Sequence, residues 1–452
     1  RLRFAKMRSS RRLGAAFVCY CVLSTIVAVS LQGGRRCWIG ASWLRLQVRP
    51  SSPCCSDIRS RLLPRLVLND VPELLESGDA PPDSPLGFFL TAVGLSGLFV
   101  AALALFGGSI SSVGYLSRGE VVKRLRMEGG DELKVTRHLD PERKAIMPVG
   151  TPRDARQEWR VLRFERCAMY LQGVTKVLVL PDQRLQLLDG VLSLPYNRSL
   201  VSVLLATLWA IGAPVAVAAA GRRDIAGSIL RRQALEEEQT GVEDGAPAMR
   251  ILCIGLGGGA VPAFLAGALP RCQVDVVESE GSVVQAATEA MGFSGSDRLR
   301  VEVGDGAAFA VQSTEAAAAC GGVYDALVID AYDAEGNVPE AMWQPDGGIA
   351  VALSKGLLKE RAAVAVNFLP GTDLTSRLGA YRRALQVWGA SPGLSFSVVA
   401  EETNLMAVQT CGGPSDVALE AWEKLLLEGA RKAQMAVRSS FSMSELAARD
   451  LN

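Results

Sequence analysis

Histidine is almost absent from the 452-residue sequence, which contains only His138, and no two cysteines stand in a CxxC pair. A serine–histidine–aspartate triad requires histidine, and zinc sites are usually built from histidine or paired cysteines. These chemistries are therefore nearly excluded, and no metal site is predicted. The ten cysteines are irregularly spaced, which is typical of a reducing compartment. A net charge of +1 gives no reason to expect a nucleic-acid partner.

Acidic residues are nearly missing from the first 66 positions, which contain thirteen lysines and arginines but only Asp57 as an acid. A basic segment at residues 8–12 precedes an uncharged apolar run at 13–31, which is the pattern of a signal sequence. The arginine- and serine-rich residues that follow resemble an organelle transit peptide. The sequence therefore predicts a leader over residues 1–85 and an organelle location, with a plastid favoured over a mitochondrion. The alternative is a disordered basic terminus behind a plain membrane anchor.

A second apolar run, residues 86–108, contains no charged side chain. Its length is sufficient for a helix to cross a bilayer core of about 30 Å, and its glycines are tolerated in membrane helices. We expect a transmembrane helix that anchors the protein to a membrane. The alternative is a stop-transfer element that is removed with the leader. Residues 109–150 have mixed charge and are interpreted as a loop-like linker.

Short valine- and leucine-rich segments indicate a small β-rich domain over residues 151–198. Its strands are predicted at residues 159–164, 173–180 and 184–188. Residues 199–248 are predicted to form a helix followed by a charged insertion. The apolar run at 200–220 is interpreted as a buried helix rather than a membrane span, because a catalytic-looking domain follows closely.

Apolar runs of four to six residues, each followed by a helical segment, begin at Arg250. Such a pattern is typical of a parallel sheet with helices on both faces, so an α/β, Rossmann-like domain is predicted over residues 249–412. Its parallel strands are predicted at 251–254, 273–277, 299–303, 326–329 and 363–368, and its helices at 261–268, 282–291 and 374–387. A closing hairpin is expected at 395–399 and 405–409. The last segment, 413–452, is predicted to carry an amphipathic helix at 414–436.

A glycine-rich turn connects the first strand of this domain to its first helix. Gly255, Gly257 and Gly259 lie in this turn. Glycines at a strand-to-helix turn allow the backbone to approach a ligand, and the helix amino terminus favours negative groups. Alone this motif is weak, because structural glycine turns are common.

Carboxylates follow the next three strands and strengthen the prediction. Glu278 ends the second strand, where an acid can accept hydrogen bonds from both ribose hydroxyls. Asp305 and Gly306 follow the third strand, where the aspartate could meet an adenine amino group. Asp330 and Asp333 follow the fourth. Because the carboxyl ends of parallel strands meet at one edge of a sheet, these loops together predict a nucleoside-type cofactor site.

S-Adenosyl-L-methionine fits these residues better than a dinucleotide does. The glycine motif lacks the third glycine of GxGxxG, since Ala260 stands after Gly259. S-Adenosylmethionine carries a carboxylate and an amine, a ribose diol and an adenine. These groups match the glycine turn, Glu278 and Asp305, respectively. Two further roles stay open: Tyr332 could line an acceptor pocket or pack in the core, and Asn367 could cap a strand or touch substrate.

Residues 250–368 resemble the spermidine synthase-like branch of class I S-adenosylmethionine-dependent methyltransferases. The resemblance depends on the segments ILCIGLGGGAVPAFL, VDVVESE, RLRVEVGDGAAF and YDALVIDAYD. Within this branch the sequence is most similar to the spermidine synthase-like domain of eukaryotic methyltransferases that modify amines of elongation factors, which also has a G-F-S-x-S-D-R stretch, here residues 292–298. The family also has a small N-terminal sheet. The leader has no part in this resemblance.

The resemblance implies a methyltransferase that acts on an amine of a small molecule or a protein, with a homodimer as one arrangement. Asp330 and Asp333 match the family's acidic pair and are the predicted catalytic residues; the predicted cofactor residues are Gly255, Gly257, Gly259, Glu278, Asp305, Gly306 and Asp330. Aminopropyltransferases of the same fold carry an aspartate where Gly258 stands and an acid where Arg198 stands. Because this sequence departs from both positions, aminopropyl transfer is the alternative and not the first prediction. A non-catalytic cofactor-binding scaffold is the second alternative.

Overall fold

The computed structural model describes residues 119–139, 151–152, 154–165, 172–220, 246–316, 321–333, 336–400, 404–415 and 417–451. The predicted leader and the apolar run at 86–108 lie outside these residues, and so does most of the charged insertion. All described residues belong to one compact unit of the chain. Among their helices, none combines the length and the hydropathy that a bilayer span requires.

A small antiparallel sheet precedes the main domain. Its five strands follow one another in sequence order. They are β1 Glu120–Arg126, β2 Glu132–Leu139, β3 Arg156–Phe164, β4 Gly173–Val179 and β5 Leu185–Leu187. The three strands predicted from the sequence are confirmed within a few residues at each end.

The interpretation of residues 109–150 as a loop-like linker is wrong for β1 and β2, which form a hairpin there. Leu133 and Val135 of β2 are fully buried, but charged side chains stand between them and throughout β1. These charges are satisfied by ion pairs across the hairpin and with the main domain, such as Lys123 with Glu289 at 2.5 Å. Apolar alternation is therefore weak in the sequence, and tertiary contacts stabilise strands that local pattern does not reveal.

The main sheet has seven strands in the order β11-β12-β10-β9-β6-β7-β8. They are β6 Met249–Ile254, β7 Cys272–Glu278, β8 Leu299–Val303, β9 Tyr324–Ile329, β10 Leu358–Phe368, β11 Pro392–Val399 and β12 Leu405–Cys411. The first five strands pair in parallel, whereas β12 pairs antiparallel to both β10 and β11. The predicted parallel sheet and closing hairpin are thereby confirmed. The strand order reverses between β6 and β9, where α/β sheets bind ligands at their carboxyl edge.

Eight α-helices lie in the described residues. They are α1 Pro195–Ala210, α2 Val215–Ala219, α3 Ala260–Ala268, α4 Gly281–Ala290, α5 Gly306–Ser313, α6 Gly348–Ser354, α7 Leu374–Trp388 and α8 Leu419–Val437. Short 3-10 helices occur at Thr314–Ala316 and Glu340–Met342. The helix predicted at 414–436 begins only at Leu419. The sequence pattern missed α5 and α6, which have only eight and seven residues and begin at glycines.

The main sheet is covered on both faces, because alternate residues of its buried strands join different cores. Ile251 and Cys253 of β6 pack in a core with α1, α3 and α8. Leu252 and Ile254, which point the other way, pack with α5, α6 and α7. Parallel strands that are buried on both faces explain the continuous apolar runs in the sequence.

The apolar run at 200–220 is a buried helix, as predicted. Residues Leu200 to Ala206 of α1 are all fully buried. Helix α1 packs against α8, and a β-carbon at Gly429 of α8 would overlap the carbonyl oxygen of Ala206. Small residues thus bring the two backbones close together. Gly212, with a φ angle of 76°, follows the end of α1, and Pro214 is the N-cap of α2.

The small sheet packs on the carboxyl edge of the main sheet. A β-carbon at Gly173, the first residue of β4, would lie 2.6 Å from the backbone nitrogen of Gly258. On the other side, the backbone nitrogen of Glu128 donates to the Glu280 carboxylate at 3.2 and 3.3 Å. The two contacts place the small sheet against the loops that follow β6 and β7.

Candidate cofactor and acceptor site

The glycine turn after β6 has a backbone that only glycine adopts easily. Gly255 has a φ angle of 95°, and its nitrogen donates to the Val277 carbonyl at 2.8 Å. A β-carbon at position 255 would overlap the carbonyl oxygen of Asp330. Gly257 and Gly259 also have positive φ angles, of 51° and 79°. The turn therefore lies directly against the backbone that follows β9.

Gly259 is the N-cap of α3, and no side chain caps this helix. The first turn of a helix leaves backbone N–H groups without intrahelical partners and carries a partial positive charge. In α3 no side chain makes a capping hydrogen bond to these groups. They can therefore bind a negatively charged ligand group, as the sequence predicted for this position.

Glu278 lies beside the glycine turn. Its Oε2 accepts a hydrogen bond from the Leu256 nitrogen at 2.9 Å, and its Oε1 accepts one from the Glu280 nitrogen at 3.1 Å. The side chain is mostly buried, with 9% exposure. Two backbone amides thus fix the orientation of the carboxylate. Because a carboxylate has about four acceptor positions, it can still accept bonds from a diol.

Asp305 is the N-cap of α5, where its Oδ1 accepts from the Ala308 nitrogen at 2.8 Å. The residue is exposed. The neighbouring Gly306 lies against the end of β6, since a β-carbon there would be 2.5 Å from Cγ2 of Ile254. Helix capping accounts for one oxygen of Asp305. Its predicted contact with an adenine amino group stays a prediction.

Asp330 follows β9 and lies at the point where the strand order reverses. Its backbone nitrogen donates to the Ile254 carbonyl at 3.0 Å. Its carboxylate accepts a hydrogen bond from Nδ2 of Asn367 at 2.9 Å. Burial raises the pKa of Asp330 to about 6, and the Asn367 amide acts in the opposite direction. The group can therefore exchange a proton near neutral pH.

Asp333 organises a turn. Its Oδ1 accepts from the Asn337 nitrogen at 2.8 Å, and its own nitrogen donates to the Asn337 carbonyl at 2.8 Å. The backbone nitrogen of Gly336 donates a hydrogen bond to the Asp333 carbonyl oxygen at 3.1 Å. The carboxylate is exposed, whereas Asp330 is partly buried. Turn formation alone explains an aspartate here, and the catalytic role of Asp333 stays a prediction.

The sequence leaves the role of Asn367 open, and the structure shows which residues its side chain contacts. Asn367 is fully buried near the end of β10, and its side chain contacts Asp330. The backbone oxygen of Asn367 also accepts a hydrogen bond from the Tyr332 hydroxyl at 2.9 Å. An amide inside an otherwise apolar strand is a signal in the sequence, because buried polar groups require partners. The identity of those partners is not visible there.

Arg198 stands where the family's aminopropyltransferases carry an acid. Its guanidinium group donates to the carbonyl oxygens of Leu192 and Ser193, at 2.7 and 3.1 Å. The arginine thus holds the chain that enters α1. Tyr196, two residues earlier, is partly buried and packs against the core that includes Val161 and Val174.

The fold and the site define a doubly wound α/β domain with a glycine turn, an acid at the end of its second strand and a small antiparallel sheet in front. The resemblance to the spermidine synthase-like branch of methyltransferases is confirmed by comparison with known proteins. No family model matches the sequence.

Two curated relatives carry this resemblance. The mouse eEF1A lysine and N-terminal methyltransferase is 40% identical over 58 residues, which are 13% of this chain and 8% of the relative. The polyamine aminopropyltransferase of Vibrio vulnificus (strain CMCP6) is 38% identical over 91 residues, or 20% of this chain and 29% of that protein. The chain thus spans less than a third of the length of either relative.

Among solved structures, human methyltransferase-like protein 13 in complex with SAH matches this chain with a TM-score of 0.38 and 20% sequence identity. The match covers 55% of this chain and 94% of that structure.

Proposed function

We propose that this chain is an S-adenosylmethionine-dependent transferase that moves a methyl group to an amine of a small molecule or a protein. The observation that carries the proposal is the Glu278 carboxylate, which two backbone amides hold beside the glycine turn. Asp330 lies on the other side of that turn, in backbone contact with Gly255. The sequence resemblance to methyltransferases and to an aminopropyltransferase supports the same class of activity.

The residues at this edge of the sheet fit the cofactor in their donors and acceptors. The uncapped first turn of α3 supplies N–H groups for the carboxylate of the amino-acid part. Glu278 supplies acceptors for the ribose diol, and Asp305 an acceptor for the adenine amino group. When bound, S-adenosylmethionine supplies a methyl group that its sulfonium sulfur activates for transfer.

Asp330 is the residue that accepts the proton of the amine. Because its pKa is about 6, the carboxylate is ionised at pH 7 and remains basic enough to take a proton. Methyl transfer from a sulfonium needs little acid–base assistance, and most of the rate comes from alignment of the reacting atoms. The reaction therefore does not require histidine, which is nearly absent from this sequence.

Two positions favour methyl transfer over aminopropyl transfer. A β-carbon at Gly258 would lie 2.8 Å from Cε of Met291 and 3.1 Å from Cγ2 of Thr175. The aspartate that aminopropyltransferases carry here would displace both neighbours. Arg198 replaces the acid that binds a cationic polyamine and would repel that substrate. Aminopropyl transfer remains the second candidate, because one relative has that activity.

Calorimetry with the full-length chain tests the proposal. Titration with S-adenosylmethionine and with its decarboxylated form compares the two candidate cofactors under one condition. We expect tighter binding of the carboxylated form, because only that form places a carboxylate at the amino terminus of α3. Preference for the decarboxylated form would instead favour polyamine synthesis. If neither form binds, the proposal is contradicted and a non-catalytic scaffold is favoured.

The elevated pKa of Asp330 predicts how stability depends on pH. The folded state binds this proton more tightly than the unfolded state, whose pKa is near the ordinary value of 3.8. The free energy of unfolding therefore falls as pH rises from about 4 to about 6, and the full penalty is present above that range. We expect Asp330→Asn to gain on the order of 2 kcal/mol relative to the unsubstituted chain between pH 4 and pH 7.

Urea unfolding of both chains at pH 4, 5, 6 and 7 measures this difference. Other titrating groups cancel, because they are common to the two chains. A difference in stability that does not change with pH would mean that Asp330 has an ordinary pKa.

A further inference from the structure

A chain of hydrogen bonds leads from Asp330 across two strands to the β11–β12 connection. Nδ2 of Asn367 donates to Oδ1 of Asp330 at 2.9 Å. Oδ1 of Asn367 accepts from Nδ2 of Asn404 at 3.0 Å. Asn404 lies between β11 and β12, and its backbone oxygen accepts from the Ala400 nitrogen at 2.8 Å. One buried amide thus joins the end of β9 to a loop that follows it by more than seventy positions.

The direction of these bonds follows from the chemistry of the carboxylate. An ionised carboxylate can only accept hydrogen bonds, so the amide nitrogen of Asn367 must face Asp330. The amide oxygen of Asn367 then faces Asn404, which must donate. The side-chain amides of Asn404 and Asn367 therefore both donate in the direction of Asp330. Hydrogen bonds in such a series polarise and strengthen one another.

We propose that Asn367 is a positioning residue that holds the carboxylate of Asp330 at the carboxyl edge of the sheet, and that Asn404 orients the Asn367 amide. The inference rests on the proposed function, in which Asp330 accepts the proton of the amine. Asn404 thereby contributes to the reacting geometry, although no sequence motif connects it to Asp330.

Burial and neighbouring residues support a specific role for this amide. Asn367 is fully buried, and the residues on either side of it, Val366 and Phe368, are buried and apolar. A polar side chain at such a position is costly unless its partners satisfy it. The two side-chain polar atoms of Asn367 form hydrogen bonds with Asp330 and Asn404. These two contacts satisfy the buried amide.

The pKa of Asp330 in the full-length chain provides the test. Aspartate labelled with ¹³C at its side-chain carboxyl gives a resonance that can be followed by NMR from pH 4 to pH 9, and Asp330→Asn assigns it. Removing the amide donor with Asn367→Leu should raise the pKa of Asp330 by about 1, a tenfold change in its ionisation constant. Asn404→Ala should raise it less, by about 0.3, through weaker polarisation of the amide.

Among the described residues, Cys253 and Tyr332 are titratable side chains that interact electrostatically with Asp330. Burial raises the pKa of each, so both stay neutral through the pH range in which Asp330 titrates. Thr410→Val is a matched control, because Thr410 is buried in β12, which pairs with β10, and lies at the other end of this strand pair from Asn367. It should lower stability without moving the titration of Asp330.

An unchanged titration in Asn367→Leu, or an equal shift in Thr410→Val, would overturn the inference. If Asn367→Leu does not fold, Asn404→Ala decides the matter: a raised pKa supports the inference and an unchanged one overturns it. Failure of the proposed function is seen elsewhere, as a wild-type chain that binds neither form of the cofactor. The two failures are therefore distinguishable.

Discussion

Glu278→Ala is expected to weaken binding of S-adenosylmethionine by at least about 1–3 kcal/mol, or roughly 5- to 150-fold in Kd. The substitution removes the proposed acceptors for the ribose diol. It also leaves the Leu256 nitrogen without the partner that now lies 2.9 Å away, so the glycine turn loses a restraint at the same time. Isothermal calorimetry on the full-length chain measures the change directly.

Two matched substitutions separate these contributions. Glu278→Gln keeps an oxygen that can accept from Leu256 but loses the charge and half of the acceptor capacity, so an intermediate affinity is expected. Glu280→Ala removes a carboxylate two residues away, whose contacts are with Glu128 and Ser282 and not with the turn. Its affinity should be nearly unchanged. Wild-type affinity in Glu278→Ala would mean that the diol binds elsewhere.

Gly255→Ala is the second substitution with a large expected effect, and it acts on the fold of the site itself. At a φ angle of 95° an alanine is strained, and its β-carbon would overlap the backbone carbonyl of Asp330. Backbone strain of about 1–2 kcal/mol and overpacking of about 1–3 kcal/mol together predict a loss of about 2–5 kcal/mol in the free energy of unfolding. Urea denaturation measures this loss.

Gly304→Ala provides the control in a neighbouring loop. Gly304 lacks a positive φ angle, and a β-carbon there would meet no atom within 4 Å. The unfolding free energy should therefore change little, or rise slightly because alanine restricts the unfolded chain. Equal losses in both variants would show that the contact between Gly255 and Asp330 does not control the stability of the turn.

Strands β6, β7 and β9 and the second half of β10 were predictable because they are largely buried on both faces, which favours apolar runs, whereas the edge strand β8 alternates apolar and charged residues. Strand β8 was predicted at its observed bounds and β6, β7 and β9 within two residues, whereas β10 begins at Leu358, five residues before its predicted start. The hairpin β1–β2 was not predicted, since its many charged residues obscure apolar alternation and are compensated partly across the hairpin and partly by a residue far away in the sequence. Lys123 pairs with Glu289 of α4, 166 positions later, and no local pattern reports such a pair.

The site divides in the same way. Gly255 and Glu278 stand at strand ends that the apolar pattern marks, so their convergence on one edge follows from the topology of a parallel sheet. The role of Asn367 could not be read in advance, because it depends on the register of β10 against β9 and on the loop that presents Asn404. Asp333 shows the opposite case, a motif residue whose observed contacts are those of a turn.

The sequence by itself determined the alternation of strands and helices, the glycine turn and the carboxylates at its edge, because each depends on residues close together in the chain. Only the tertiary structure decided how these groups behave. The pKa of Asp330 depends on its burial and on the Asn367 amide, and the glycine turn is shaped by the carbonyl of Asp330 and by Gly173 of the small sheet. Burial and close approach are properties of packed surfaces, and segments far apart in sequence supply those surfaces.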